Sequence, residues 1–271
     1  MRTENVPSAV AGDAAYIEYD LLNKLWDVGG GTGQVDMKKP CRRSKRISAQ
    51  TSESGKNGGK TMSTTEFHPD KMYTYLRGFA SGAGMRETLK ALSFAREKHS
   101  GQLRKSGEPY IIHPLMMACN AVSIGIRDDT VVATVLLHDV CEDCGVSLAE
   151  LPVSEPVKRA VDLMTFRVME GETKEIAKNR YYNLLLQCRE ATLTKLIDRC
   201  HNVSSMAGTF SVEKLKAYIE ETRNYVLPLL RKAKTLYPED ADVLFVLKYH
   251  MVSVVDSIDA TIQVFEKESQ D

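Results

Sequence analysis

Residues 136–145, LLHDVCEDCG, hold three candidate chemistries at once. Cys141 and Cys144 form a C-x-x-C, the spacing of a zinc ligand pair or a thiol–disulfide centre. His138 and Asp139 follow the apolar run VVATVLL, and Glu142 and Asp143 stand four residues further on. Two more polar residues close apolar text elsewhere: His113 after YII and Asp198 after LTKLI. A buried imidazole or carboxylate is costly unless it is paired or bound to a cation. Singly, each has an ordinary account, a histidine serving backbone groups at a helix start or an aspartate closing a helix. Together, two His and two Asp offer the donors of a divalent transition ion such as Mn²⁺, Fe²⁺ or Zn²⁺, with positions left for water or substrate.

Helical spacing adds to this set. Glu142 lies four residues after His138 and Asp143 four after Asp139, so on a continuing helix each acid projects beside the residue one turn back. Carboxylates there stand near an ion without binding it, where a general acid/base belongs. Asp198 and Asn202 share a face in the same way, and Asn202 is suited to orient a water, bind substrate or cap the turn. In HSGQLRKSGEPYIIHP, Arg104 and Lys105 sit on a Gly-flanked loop before His113. Alone this is a solvated basic turn; beside a metal centre it becomes a clamp for a polyphosphate, with Arg forking to phosphate or stacking on a base. The cysteines fit less well. A zinc site needs two more ligands, Cys200 and His201 being the available ones, and a redox thiol prefers a helix N-terminus whereas Cys141 falls at the end of an expected helix. Small packing residues are the simpler reading.

The elements that must carry these groups are helices. From Thr64 onward the periodicity predicts helices at 69–80, 84–99, 114–124, 128–142, 154–166, 173–188, 190–206, 211–236 and 239–268. Strand signals are scarce. EPYIIHP reads as extended between its prolines, which places His113 just outside a helix whose first residue is Pro114. The expected fold class is an all-α globule with its metal site between core helices.

The first 62 residues differ. They carry GGGTG, KKPCRRSKR and SAQTSESGKNGGKT, too polar and Gly/Ser-rich to build a core, and are expected to form a disordered basic extension before a folded helical domain at 63–271. Gly59-Lys60-Thr61 resembles the end of a phosphate-binding loop, but Ser54 stands where a Gly is needed and no apolar strand precedes it. Of the 271 residues, 36 are Lys or Arg and 36 Asp or Glu, so no global charge draws the chain to nucleic acid or an anionic membrane. Positive charge is concentrated at 36–60, with eight Lys/Arg against two acids, which leaves a weak RNA-binding reading for that segment alone. Six scattered cysteines make no disulfide framework, and no apolar run spans a bilayer, so a cytoplasmic protein is expected. The pattern specifies no oligomeric state.

The order H…HD…D formed by His113, His138-Asp139 and Asp198 resembles the HD-domain phosphohydrolases. The words FAREKHSGQLRKSGEPYIIHP, TVVATVLLHDVCED and LTKLIDRCHNV look like the hydrolase domains of RelA/SpoT homologues and stand-alone small alarmone hydrolases, over about residues 86–206. The resemblance implies that His113, His138, Asp139 and Asp198 bind one Mn²⁺ and that Glu142 and Asp143 activate water and shuttle protons. It places Arg104 against guanine, Lys105 and Ser106 in the same pocket, and Asn202 on the nucleotide. The implied reaction removes the 3′-pyrophosphate of ppGpp or pppGpp, giving GDP or GTP and pyrophosphate. Two departures stand out: Cys141 and Cys144 replace an apolar residue and Thr, and VDLMTFRVMEGETKEIAKNRYY replaces a DGVTK-like segment of the nucleotide pocket. The resemblance therefore also admits a phosphatase of another nucleotide, such as the 2′-phosphate of NADPH. A nucleotide-binding regulator without turnover is a third reading. With two or three helices before Asp271, alarmone synthesis is not expected.

Overall fold

The computed structural model describes residues 67–104 and 107–268. The expected extension at 1–62, with its basic stretch, lies outside these residues, as do Lys105 and Ser106. The described chain is helical: α1 Pro69–Ala83, α2 Arg86–Lys98, α3 Ile112–Ser123, α4 Asp129–Leu137, α5 Val140–Cys144, α6 Glu155–Met164, α7 Lys174–Leu185, α8 Arg189–Met206, α9 Val212–Glu221, α10 Leu227–Leu236 and α11 Ala241–Glu268. Its one β-type pairing among the described residues is an isolated antiparallel bridge between Leu103 and Pro109. The all-α expectation holds.

The hydrophobic run VVATVLL explains the centre of the fold. Every residue from Val131 to Leu137 is buried, so α4 has no solvent face and is surrounded by α2, α3, α6 and α8. Its start is fixed twice. Asp128 caps it through Oδ1 on the amides of Thr130 and Val131. Asp129 reaches across to the first amides of α2, at 2.9 Å from Glu87 N and 2.7 Å from Thr88 N. Helix α8 lies alongside with Leu193, Leu196 and Ile197 fully buried, which carries Asp198 toward the end of α4.

Three expectations need correction. The helix expected at 128–142 is interrupted: α4 stops at Leu137, Asp139 sits at φ −103° and ψ −7°, and α5 restarts at Val140, ending at Gly145 with φ +66°. A left-handed stop of this kind suits glycine because no Cβ meets the backbone. One consequence is that Cys141 lies in the first turn of α5, not at a helix end. Second, EPYIIHP turns rather than extends. His113 N bonds Tyr110 O at 2.9 Å and Leu115 N bonds Ile111 O at 3.2 Å, so α3 begins at Ile112 and His113 belongs to its first turn. Pro114 is tolerated because amides of the first turn have no intrahelical acceptor to lose. Third, the stretch expected at 211–236 winds through a π turn at Thr222–Val226, between α9 and α10. Such a turn alters which side chains face the core below it.

Candidate metal centre and nucleotide pocket

The four expected donors converge. His113 comes from the first turn of α3, His138 and Asp139 from the break after α4, and Asp198 from the middle of α8. His113 Nε2 lies 3.2 Å from His138 Nε2 and 3.6 Å from Asp198 Oδ1. Asp139 Oδ2 is 3.0 Å from His138 Nε2 and 3.6 Å from His113 Nε2. Donors about 2.1 Å from one ion, at tetrahedral or octahedral angles, stand about 3.0–3.4 Å apart. His138 Nε2 and Asp198 Oδ1 are 4.0 Å apart, so the donors surround a space slightly wider than that of a bound ion, and His113, His138 and Asp198 form the compact cluster of possible ligands.

The tautomers suit that purpose. His138 Nδ1 donates to Val135 O at 2.9 Å, so the neutral ring presents a lone pair at Nε2. His113 Nδ1 faces His201 Nδ1 at 3.0 Å. Burial, together with the Arg104 charge, holds His201 down at about 4, so it is neutral and able to accept from His113. His113 itself is pushed well below the usual imidazole range by burial and by His138 and His201. Burial also opposes a charge on His138, but Asp139 and Asp198 outweigh it and push His138 up to about 9. Asp198 shows the converse: burial raises it, yet Lys195, His138 and His113 bring it down to about 2. Without an ion, the two carboxylates retain their charge by keeping a proton on His138. A divalent cation would take its place.

Asp198 divides its oxygens. Oδ1 faces the imidazoles and accepts from Asn202 Nδ2 at 2.6 Å, while Oδ2 takes Lys195 Nζ at 3.0 Å. Asn202 thus fixes a donor and lines the cavity at the same time.

That cavity, of about 410 Å³, opens over the cluster. Glu142 and Asp143 of α5 line one side, and the Asp143 amide donates to Asp139 O at 2.8 Å, so the one-turn relation survives the helix break. Glu142 is raised above the ordinary glutamate range, by partial burial first and by the charges of Asp139 and Asp143. Arg104 lines the mouth. A largely basic and aromatic wall is built from Lys174, Lys178, Tyr181 and Tyr182 of α7 with Tyr218 of α9, joined by the acid Glu221. Glu221 is held by Lys178 and by the buried Arg199, whose Nη2 is 2.6 Å from Glu221 Oε1. Tyr182 stacks on Tyr225 of the π turn at 5.3 Å. These wall residues come from helices far apart in sequence, so no local pattern announces them. Lys195 and His201 were within reach of periodicity, three residues either side of Asp198 in LTKLIDRCHN.

The C-x-x-C stands apart from this cluster. Cys144 Sγ contacts Lys98 O and His99 Nδ1, at 3.5 and 3.4 Å, while Cys200 Sγ donates to Leu247 O and His201 faces His113. A four-ligand zinc site from these residues is not assembled. Burial and neighbouring acids raise both thiols, so the position of Cys141 in a first helical turn does not activate it. Both cysteines pack against the core, as expected of small packing residues.

A helical body with an H…HD…D cluster at its centre defines a class. The family model for the HD domain matches residues 91–229, and the chain belongs to that family. It is 34% identical over 173 residues to the guanosine-3′,5′-bis(diphosphate) 3′-pyrophosphohydrolase of Aquifex aeolicus, covering 57% of this chain and 24% of that protein. It is 33% identical over 157 residues to the bifunctional (p)ppGpp synthase/hydrolase SpoT of Escherichia coli, covering 53% of this chain and 21% of SpoT. The chain therefore spans about a quarter or less of the length of these relatives. A solved structure described as a metazoan ortholog of SpoT that hydrolyzes ppGpp superposes with a TM-score of 0.48 at 22% identity, over 62% of this chain and 93% of that one. No helix among the described residues is long and apolar enough to cross a membrane.

Proposed function

We propose that this protein hydrolyses the 3′-pyrophosphate of ppGpp or pppGpp, giving GDP or GTP and pyrophosphate. The observation that carries the reading is one cavity lined together by His113, His138, Asp139 and Asp198, by the two acids Glu142 and Asp143, and by cationic and aromatic side chains. The activity named for the Aquifex and Escherichia relatives supports it. His113, His138, Asp139 and Asp198 hold the ion, which we take to be Mn²⁺. When bound, such an ion polarises water and offsets charge growing on phosphoryl oxygens.

The chain's own groups do the rest. Glu142, with its raised pKa, and Asp143 take the proton from the attacking water and deliver one to the leaving oxygen. Arg104 lies against the guanine, and Lys105 and Ser106 shape that side of the pocket. Asn202 keeps Asp198 Oδ1 directed inward and meets the nucleotide from the same face. Lys174 and Lys178 supply positive charge to the phosphates. The hydrolase domain takes in residues 63–271 with the C-terminal helices, the preceding segment being an extension, and the protein works in the cytoplasm.

The test is a substrate panel with purified full-length chain and Mn²⁺, Mg²⁺ or Zn²⁺. Pyrophosphate release from ppGpp, fastest with Mn²⁺, is the expected result. Phosphate release from NADPH with ppGpp untouched would move the assignment to another nucleotide, and turnover of neither would leave a nucleotide-binding regulator.

A further inference from the structure

Tyr110 lies outside the donor set, yet its hydroxyl donates to Asp139 Oδ2 at 2.5 Å. Asp139 stands at a helix break with no side-chain cap bond of its own, so backbone regularity does not fix its carboxylate. Asp139 and Asp143 are also like charges one turn apart, an arrangement that pushes them away from each other. The phenolic proton donated to Asp139 Oδ2 offsets part of that charge and directs the oxygen toward the imidazoles.

The ring carrying the proton is clamped. Tyr110 stacks on His99 at 4.8 Å and meets the edge of His113 at 5.9 Å. His99 is 2% exposed and is held by Gln102 Oε1, 2.7 Å from its Nδ1. The backbone is held as well, since Tyr110 N donates to Gln102 O at 2.9 Å. A tyrosine fixed at ring and backbone, with its hydroxyl aimed at the Asp139 carboxylate, is built for orientation.

We infer that Tyr110 is a positioning residue of the metal centre: its hydroxyl sets the geometry of Asp139. The inference rests on the reading of Asp139 as a ligand. Its metal-binding test needs no nucleotide, so a failure to hydrolyse ppGpp and a failure of this role are separate results. Mn²⁺ affinity is measured on the full chain by electron paramagnetic resonance of the free ion, and the melting temperature is measured without metal. Tyr110→Phe keeps the ring and its stack, and is expected to weaken Mn²⁺ binding roughly 10–100-fold while leaving metal-free melting within a few degrees, as a lost outer-shell partner does. His99→Leu loosens the stack but leaves the hydroxyl, and is expected to lower melting more than affinity. Unchanged affinity in Tyr110→Phe, or the two variants showing the opposite order of effects, overturns the assignment. At saturating metal, Tyr110→Phe should lower kcat and leave KM nearly unchanged; a change confined to KM also counts against it.

Discussion

The Nδ1 atoms of His113 and His201 lie 3.0 Å apart, and only one proton fits between them. If His113 is the donor, its Nε2 is a lone pair facing the ion; if His201 is the donor, the proton of neutral His113 moves to Nε2 and blocks it. His201→Phe removes the acceptor and keeps an aromatic ring. It should weaken divalent-metal affinity about 10-fold or more, read by isothermal titration calorimetry. An unchanged affinity would show that the His113 tautomer is set elsewhere.

Glu142 and Asp143 line the cavity one turn beyond the donor pair His138 and Asp139 without belonging to the donor set. Replacing them together, as Glu142→Gln with Asp143→Asn, should preserve Mn²⁺ and nucleotide binding while reducing turnover by roughly 10²–10⁴-fold. A rate equal to the parent's contradicts their role in proton transfer, and loss of metal would reassign one of them as a ligand.

Glu221 gives a pH dependence of known sign. Although burial alone raises it, Lys178 and Arg199 pull its pKa from 4.5 down to about 2. A depressed carboxylate contributes stability that is fully present above its unfolded value and is lost as pH falls through the folded one. The contribution is therefore complete at neutral pH and drains away between about 4.5 and about 2. Glu221→Gln should cost at most about 3 kcal/mol at pH 7 and progressively less on acidification, followed by urea unfolding across pH. A constant difference down to pH 2 would refute the linkage.

Arg189 ties the start of α8 to two other parts of the chain. It grips Asp240 through two bonds of 2.7 Å and reaches Asp128, the cap of α4, at 2.9 Å. Asp240 is only 5% exposed, so Asp240→Ala leaves a partly buried guanidinium short of its partner. We expect a loss of about 3 kcal/mol and a melting temperature lower by roughly 6–12 °C. Differential scanning calorimetry checks this, and a shift under 2 °C would mark the pair as dispensable.

The sequence by itself determined the class of the fold and singled out the candidate donors. VVATVLL is apolar at every position but Thr134, so it demands burial on all sides, and three polar words ending apolar runs marked His113, His138, Asp139 and Asp198 as candidates that the fold brings close together. Periodicity also located Asn202 beside Asp198, because both sit on one regular helix. It failed where the backbone departs from a regular helix. The break at His138-Asp139 and the π turn after Glu221 depend on what the neighbouring helices pack against, and no residue type there enforces them. Only tertiary structure decided the rest of the site. Tyr110 reaches Asp139 across 29 residues, and α7 and α9 bring Tyr182 and Glu221 to one wall across 39. Such contacts follow from how helices pack in space, and local spacing carries no record of it.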